Sequence, residues 1–248
     1  MKNSQDKKSK IRNLYALPMV LAGLVVILAV ALGFVLTRGG AGEAGELNNL
    51  PNYTDVKGTI VVDSLKYEKQ PRLGAPNAKV KVIEFADFKC PACRKWTQTN
   101  MQRFIKDYVD TGKVEYYFMN FAFIDRDSYL AASAGEAIYR QSNGKFWEYV
   151  VKLYDNQGDE SEIWATEKFI LKFVKDNIDG IDYARFEQDL KSRTYMFDVK
   201  EDFKIAAAYG VNGAPKFMVN GALLKDSSYG SLKAAIDKQL AENGSQGN

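Results

Sequence analysis

The chain of 248 residues contains no histidine and two cysteines. Without imidazole there is no His-dependent triad, and the commonest nitrogen ligand for a metal is missing. Two cysteines are too few to staple a small disulfide scaffold, and as zinc ligands they would need two more partners, which only carboxylates could supply. A strong charge imbalance is also lacking. Of the 34 Lys and Arg residues, six fall in the first 38 positions against one acid, which leaves 28 basic and 30 acidic residues beyond. A globular part this close to neutral offers no footprint for nucleic acid. Repeats at solenoid periods are absent as well.

What the sequence does have is one long apolar run. Leu14 to Leu36 are 23 consecutive positions without a charge, enough at about 1.5 Å per residue to cross a hydrocarbon core of about 30 Å. Lys2, Lys7, Lys8, Lys10 and Arg12 precede it, and Arg38 followed by Glu43 and Glu46 comes after. The positive-inside rule then puts the N-terminus in the cytoplasm and the rest of the chain outside, on a single-pass anchor in the cell membrane. The rival is a cleaved signal peptide, but the run exceeds the usual apolar length of about 7–15 residues and no small-x-small site follows directly. No cysteine follows it to carry a lipid. The expected organisation is a cytoplasmic basic tail over 1–13, a signal anchor over 14–36, a flexible Gly- and Asn-containing linker over 37–56, one domain over 57–242 and a disordered tail over 243–248.

Within the domain, the pattern predicts a short strand at Thr59–Val62 and a central strand in the Val- and Ile-rich run Ala78–Phe85. Cys90-Pro91-Ala92-Cys93 follows at once. From Pro91 the spacing of Trp96, Met101, Phe104, Ile105 and Tyr108 predicts a helix ending before Gly112, with proline well placed at its first position. Val114–Phe118 is the next strand, so the unit is of the α/β type. From Ser128 to Tyr209 the signals are helical, with breaks near Gly144, Gly158, Gly180 and Ser192. Lys216–Val219, Asn220-Gly221 and Ala222–Leu224 then read as a hairpin, and Ser231–Ala241 as a closing helix. The aromatics Phe146, Trp147, Tyr149, Tyr154, Trp164, Phe169 and Phe173 recur at helical spacing and are assigned mainly to core, with some available to line an apolar surface for unfolded substrate.

Two cysteines three apart at a helix start lie on one face, and the first meets unpaired N–H groups and the positive end of the helix dipole. That field stabilises a thiolate, the nucleophile and the better leaving group in disulfide exchange. Cys90 is therefore expected to be the exposed, attacked sulfur and Cys93 the buried, resolving one. Half a metal site or a merely structural disulfide are the alternatives. Glu84, six residues before Cys90, interrupts a strand largely apolar on both faces, where a carboxyl tends to stay protonated unless it reaches water at a strand end. Asp87 and Lys89 flank the site and are taken as solvated surface charges.

The segments Glu84-Phe85-Ala86-Asp87-Phe88-Lys89-Cys90-Pro91-Ala92-Cys93 and Gly210-Val211-Asn212-Gly213-Ala214-Pro215-Lys216-Phe217 together resemble those of DsbA-type thiol:disulfide oxidoreductases of the thioredoxin superfamily, in the membrane-anchored BdbD-like branch. The resemblance covers about Lys57 to Leu240. It implies a thioredoxin-like α/β fold with a helical domain inserted at about 126–209, and a cis proline at Pro215 beside the cysteine pair. In that family the backbone of the residue before this proline, here Ala214, pairs with substrate, Pro91 and Ala92 line the same side, and the acid matching Glu84 relays a proton to the resolving sulfur. No cofactor is implied beyond the Cys90–Cys93 disulfide. The implied partners are reduced or unfolded exported proteins, with an integral-membrane, quinone-linked protein of DsbB-like or VKOR-like type as reoxidant. One departure stands out: the strongest oxidants of the family carry Pro-His between the cysteines, so Pro-Ala here implies a milder oxidant. A reductase or isomerase fed with electrons across the membrane, and a tethered binding module with a structural disulfide, are the competing functions.

Overall fold

The strand β2 (Val80–Ala86) is buried at every position but Lys81, because it is hydrogen-bonded on both sides and covered on both faces. The computed structural model that shows this describes residues 49–245. The apolar run 14–36 and most of the 37–56 linker lie outside the described residues, among which no helix is long and apolar enough to cross a membrane. β2 pairs in parallel with β3 (Val114–Asn120) and antiparallel with β4 (Lys216–Val219). Two short edge strands, β1 (Arg72–Leu73) and β5 (Ala222–Leu223), complete a sheet of order β1-β3-β2-β4-β5.

Strand alternation sorts the core into two sides. Val80, Val82 and Ala86 of β2 and Val114, Tyr116 and Phe118 of β3 belong to a large cluster that holds both cysteines, Trp96 and Phe104. Ile83, Phe85, Tyr117 and Met119 face a smaller one with Ile205 and Ala206. The helix that begins as α1 (Pro91–Trp96) runs on through π turns at Thr97–Met101 and Ile105–Val109 around a short α segment, Gln102–Phe104. Five helices follow β3: α2 (Arg126–Tyr139), α3 (Asn143–Asp155), α4 (Glu167–Asn177), α5 (Tyr183–Lys191) and α6 (Met196–Ala208). Phe146, Trp147, Tyr149, Tyr154 and Phe173 are buried and Trp164 and Phe169 pack against them, so these aromatics are core. After the β4–β5 hairpin, α7 (Tyr229–Ser245) closes the chain on the sheet with Leu232 and Ile236.

The elements depart from the sequence reading at three places. Thr59–Val62 is not a strand: Val61 is 62% exposed, and β1 occupies the free edge of β3 instead. The end of the expected linker is anchored. Leu50 is buried, Tyr53 stacks on Tyr129 with ring centroids 3.9 Å apart, and its hydroxyl donates to the Ala122 carbonyl at 3.1 Å. Three residues assigned to a disordered tail, 243–245, continue α7, whose Asn243 amide donates to the Lys79 carbonyl at 3.4 Å. The helix break expected near Gly144 falls at 140–142, and Gly144 itself lies in the first turn of α3, whose N-cap is Ser142.

Candidate active site

The turn between β2 and α1 is built by Asp87. Its carboxylate accepts the N–H groups of Lys89 at 2.8 Å, Phe123 at 2.9 Å and Ile124 at 3.1 Å, and its carbonyl accepts the Cys90 N–H at 3.0 Å. Cys90 is thereby placed as the extended N-cap residue of α1, with no side-chain cap bond of its own and Pro91 as the first helical residue. The Gln157 amide, arriving from the far side of the insertion, donates to the Phe88 carbonyl at 2.8 Å and the Cys90 carbonyl at 3.1 Å. Both cysteines are free thiols. Cys90 is 6% exposed and Cys93, one turn into the helix, is fully buried, while Pro91 and Ala92 form the more open rim.

The peptide bond Ala214–Pro215 is cis, and the Cys90 thiol donates to the Ala214 carbonyl at 3.2 Å. Pro215 and Ala214 thus lie beside Cys90 although 125 and 124 positions separate them in sequence. As a thiolate, Cys90 is held below the usual thiol range, first by the Cys93 thiol donating to it and then by the N–H groups of Cys93 and Ala92, against the opposing effect of burial. Cys93 is pushed the other way by its burial and by the charge on Cys90. Cys90, expected to be exposed, is instead nearly buried, yet it is the better leaving group of the pair, and Cys93 is the reluctant thiol beneath it.

Glu84 is buried, 2% exposed, and so does not reach water at a strand end. Burial pushes its carboxyl up to about 8, although the Tyr116 hydroxyl, donating to Oε2, works against this. The other oxygen, Oε1, has no hydrogen-bond partner. Glu84 raises the proton affinity of Cys93 through its charge, which puts the acid and the buried thiol within electrostatic reach of each other.

Asp87 and Lys89 are not solvated, contrary to the surface role read from sequence. Both are buried, and the Lys89 ammonium meets the Asp127 carboxylate at 2.7 Å with neither side chain exposed. Lys89 also donates to the Glu162 carbonyl at 2.8 Å, and the second Asp127 oxygen accepts the N–H groups of Trp164 and Ala165 at 3.0 and 3.1 Å. Sequence reasoning missed Asp127, Gln157 and Tyr116. Tyr116 was accessible to it, because alternation puts this residue on the same face of β3 as Val114 and Phe118. Gln157, in a loop, has no local signal. A second buried acidic group, Glu136 and Asp202 bridged by the Asn120 amide at 2.9 and 3.1 Å, is likewise protonated more readily than usual through burial, Asp202 up to about 7. Among the described residues no group of three or more His, Cys, Asp or Glu side chains is arranged to hold a metal ion.

A polarised dithiol with an acid in electrostatic reach and a backbone carbonyl alongside can exchange with a second dithiol or disulfide. The family described as Thioredoxin matches residues 66–238. The probable disulfide bond formation protein D of Bacillus anthracis is 45% identical over 174 residues, 70% of this chain and 80% of that protein. Disulfide bond formation protein D of Bacillus subtilis is 28% identical over 190 residues, 76% of this chain and 85% of that one. Among solved structures, oxidised BdbD from Bacillus subtilis superposes with a TM-score of 0.67 at 28% identity, covering 74% of this chain and all of the other. DsbA from Chlamydia trachomatis shares the fold, with a TM-score of 0.64 at 21% identity over 74% of this chain and 96% of its own. The chain is a protein thiol–disulfide oxidoreductase of thioredoxin-like fold, and it belongs to the DsbA-type family in its BdbD-like branch.

Proposed function

We propose that this oxidoreductase introduces disulfides into reduced or unfolded exported proteins outside the cytoplasm, tethered to the cell membrane by its 14–36 segment and reoxidised by an integral-membrane, quinone-linked protein of DsbB-like or VKOR-like type. The observation that carries the oxidising direction is the polarity of the pair. A Cys90 thiolate stabilised by the Cys93 thiol and the first N–H groups of α1 favours the reduced protein, and so makes the oxidised one a better acceptor of electrons.

A substrate thiolate attacks the Cys90 sulfur of the oxidised pair, the S–S bond breaks, and Cys93 leaves as a thiolate that takes a proton from Glu84. A second substrate thiolate then attacks the substrate sulfur of the mixed disulfide and expels Cys90. Two electrons have passed from the substrate to the pair, and no cofactor beyond the cysteines takes part. Ala214, freed of the Cys90 thiol, offers its carbonyl to the substrate backbone, with Pro215, Pro91 and Ala92 shaping the contact. Pro-Ala between the cysteines supplies no imidazole donor, so the protein is a mild oxidant within its family.

Equilibration of the purified protein with glutathione buffers tests the direction. A potential above about −200 mV fits an oxidase, and a value near −270 mV assigns it to the reductases. Cys90→Ser should abolish oxidation of a reduced dithiol peptide. Undiminished oxidation by this variant would dismiss the proposal.

A further inference from the structure

The Glu84 carboxyl accepts from Tyr116 of β3 and lies within electrostatic reach of Cys90 and Cys93 at the start of α1 and of Tyr154 in α3, with apolar Phe217 opposite it in β4. Lys81, the nearest cation in sequence, is paired with Glu115, Lys89 is committed to Asp127 and the Glu162 carbonyl, and Asp87 is tied to three backbone N–H groups. The Tyr116 hydroxyl is therefore the one side-chain donor that the described residues bring to this carboxyl, bound to Oε2 while Oε1 stays unpartnered. A donor aimed at a buried carboxylate stabilises the ionised form, the form able to accept a proton.

We infer that Tyr116 is a positioning residue that keeps Glu84 usable as the base for Cys93 when the protein is reoxidised. The inference rests on Glu84 being the proton partner of Cys93. In reoxidation, the Cys90 thiolate attacks a disulfide oxidant, forming a mixed disulfide and releasing one thiolate of the oxidant. Cys93 then passes its proton to the Glu84 carboxylate and attacks the Cys90 sulfur, releasing the second thiolate. Only this second step needs ionised Glu84. The opposite half of the cycle runs through the same proton transfer in reverse, with Glu84 returning the proton to Cys93 as it leaves.

Tyr116→Phe removes one hydroxyl and keeps the ring that stacks on Trp147 at 5.3 Å and meets Phe104 edge-on at 5.0 Å. The reduced full-length protein, in detergent micelles, is mixed with glutathione disulfide and acid-quenched, and resolution of the Cys90–glutathione mixed disulfide is followed by mass spectrometry across the pH range. For the unaltered protein the rate rises with a midpoint above the ordinary carboxyl range, because Glu84 stays buried in the mixed disulfide. Tyr116→Phe is expected to move this midpoint up by about one unit, slow resolution about tenfold at neutral pH and leave the alkaline rate alone. In a Glu84→Gln background the same change should add nothing. An unmoved midpoint, an equal slowing at every pH, or a slowing that persists with Glu84→Gln overturns the inference. If Glu84→Gln itself leaves the profile intact, the assignment of Glu84 falls and takes the inference with it. If Glu84→Gln flattens the profile while Tyr116→Phe does nothing, the role of Tyr116 alone falls.

Discussion

Of the three buried ionisable side chains in the six residues before Cys90, the protein treats Lys89 and Glu84 in opposite ways. Lys89 has an ion-pair partner and a carbonyl, and its partner Asp127 has two backbone donors besides. Glu84 has one phenol on one oxygen and nothing on the other. A buried charge whose partners are saturated is fixed in state and place. A buried carboxyl left short of donors hovers between its two states, which is what proton exchange with a thiol requires. Compensation marks the side chain that builds the site, and its absence marks the one that reacts.

The largest effect that would test this contrast is on stability. Asp127→Ala strands the Lys89 ammonium and two N–H groups in the core, and should cost about 3–5 kcal/mol in urea denaturation. A loss below about 1 kcal/mol would show that water reaches Lys89 and would remove one half of the comparison. Glu84→Gln should do the reverse and stabilise the reduced protein at alkaline pH. Because the folded-state value of Glu84 is raised from 4.5 to about 8, the fold retains a proton that the unfolded chain releases, so stability is fully present below 4.5 and declines as pH rises through that window. Glutamine cannot titrate, and the gap between variant and unaltered protein should widen by up to about 1.4 kcal/mol per pH unit across it. A gap constant with pH would show that Glu84 titrates normally. Asp202 and Glu136, shifted in the same direction, leave a residual slope in both proteins. The smallest effect belongs to Gln157→Leu, which takes one amide from the Phe88 and Cys90 carbonyls and should cost about 1–2 kcal/mol.

The elements that position the site were readable because they obey local rules. A β-branched run gave β2, proline after Cys90 gave the start of α1, and Asn220-Gly221 gave the β4–β5 hairpin. Glu84 stood out as the one acid in a largely apolar strand, and the Pro215 position was carried by the family motif. Thr59–Val62 looked like a strand for the same local reason that β2 did, but edge pairing is decided by which segment reaches β3 first in space, and β1 does. Lys89 was misread because a charge beside a turn is usually wet. Its partner Asp127 lies 38 residues away, and nothing within the turn announces a carboxylate delivered by another helix.

The Lys89–Asp127 pair also ties the folding of the two parts together. One end sits in the cysteine turn and the other at the start of α2, where the same aspartate gathers the backbone of Trp164 and Ala165. Detaching the inserted helices would expose Lys89 unpaired in a half-open core, so partial unfolding that spares the cysteine turn is strongly disfavoured. The turn and the insertion are expected to unfold as one cooperative unit. Amides of the turn should exchange with solvent only when the whole domain opens, and the oxidoreductase should lose its chemistry and its helices in the same transition.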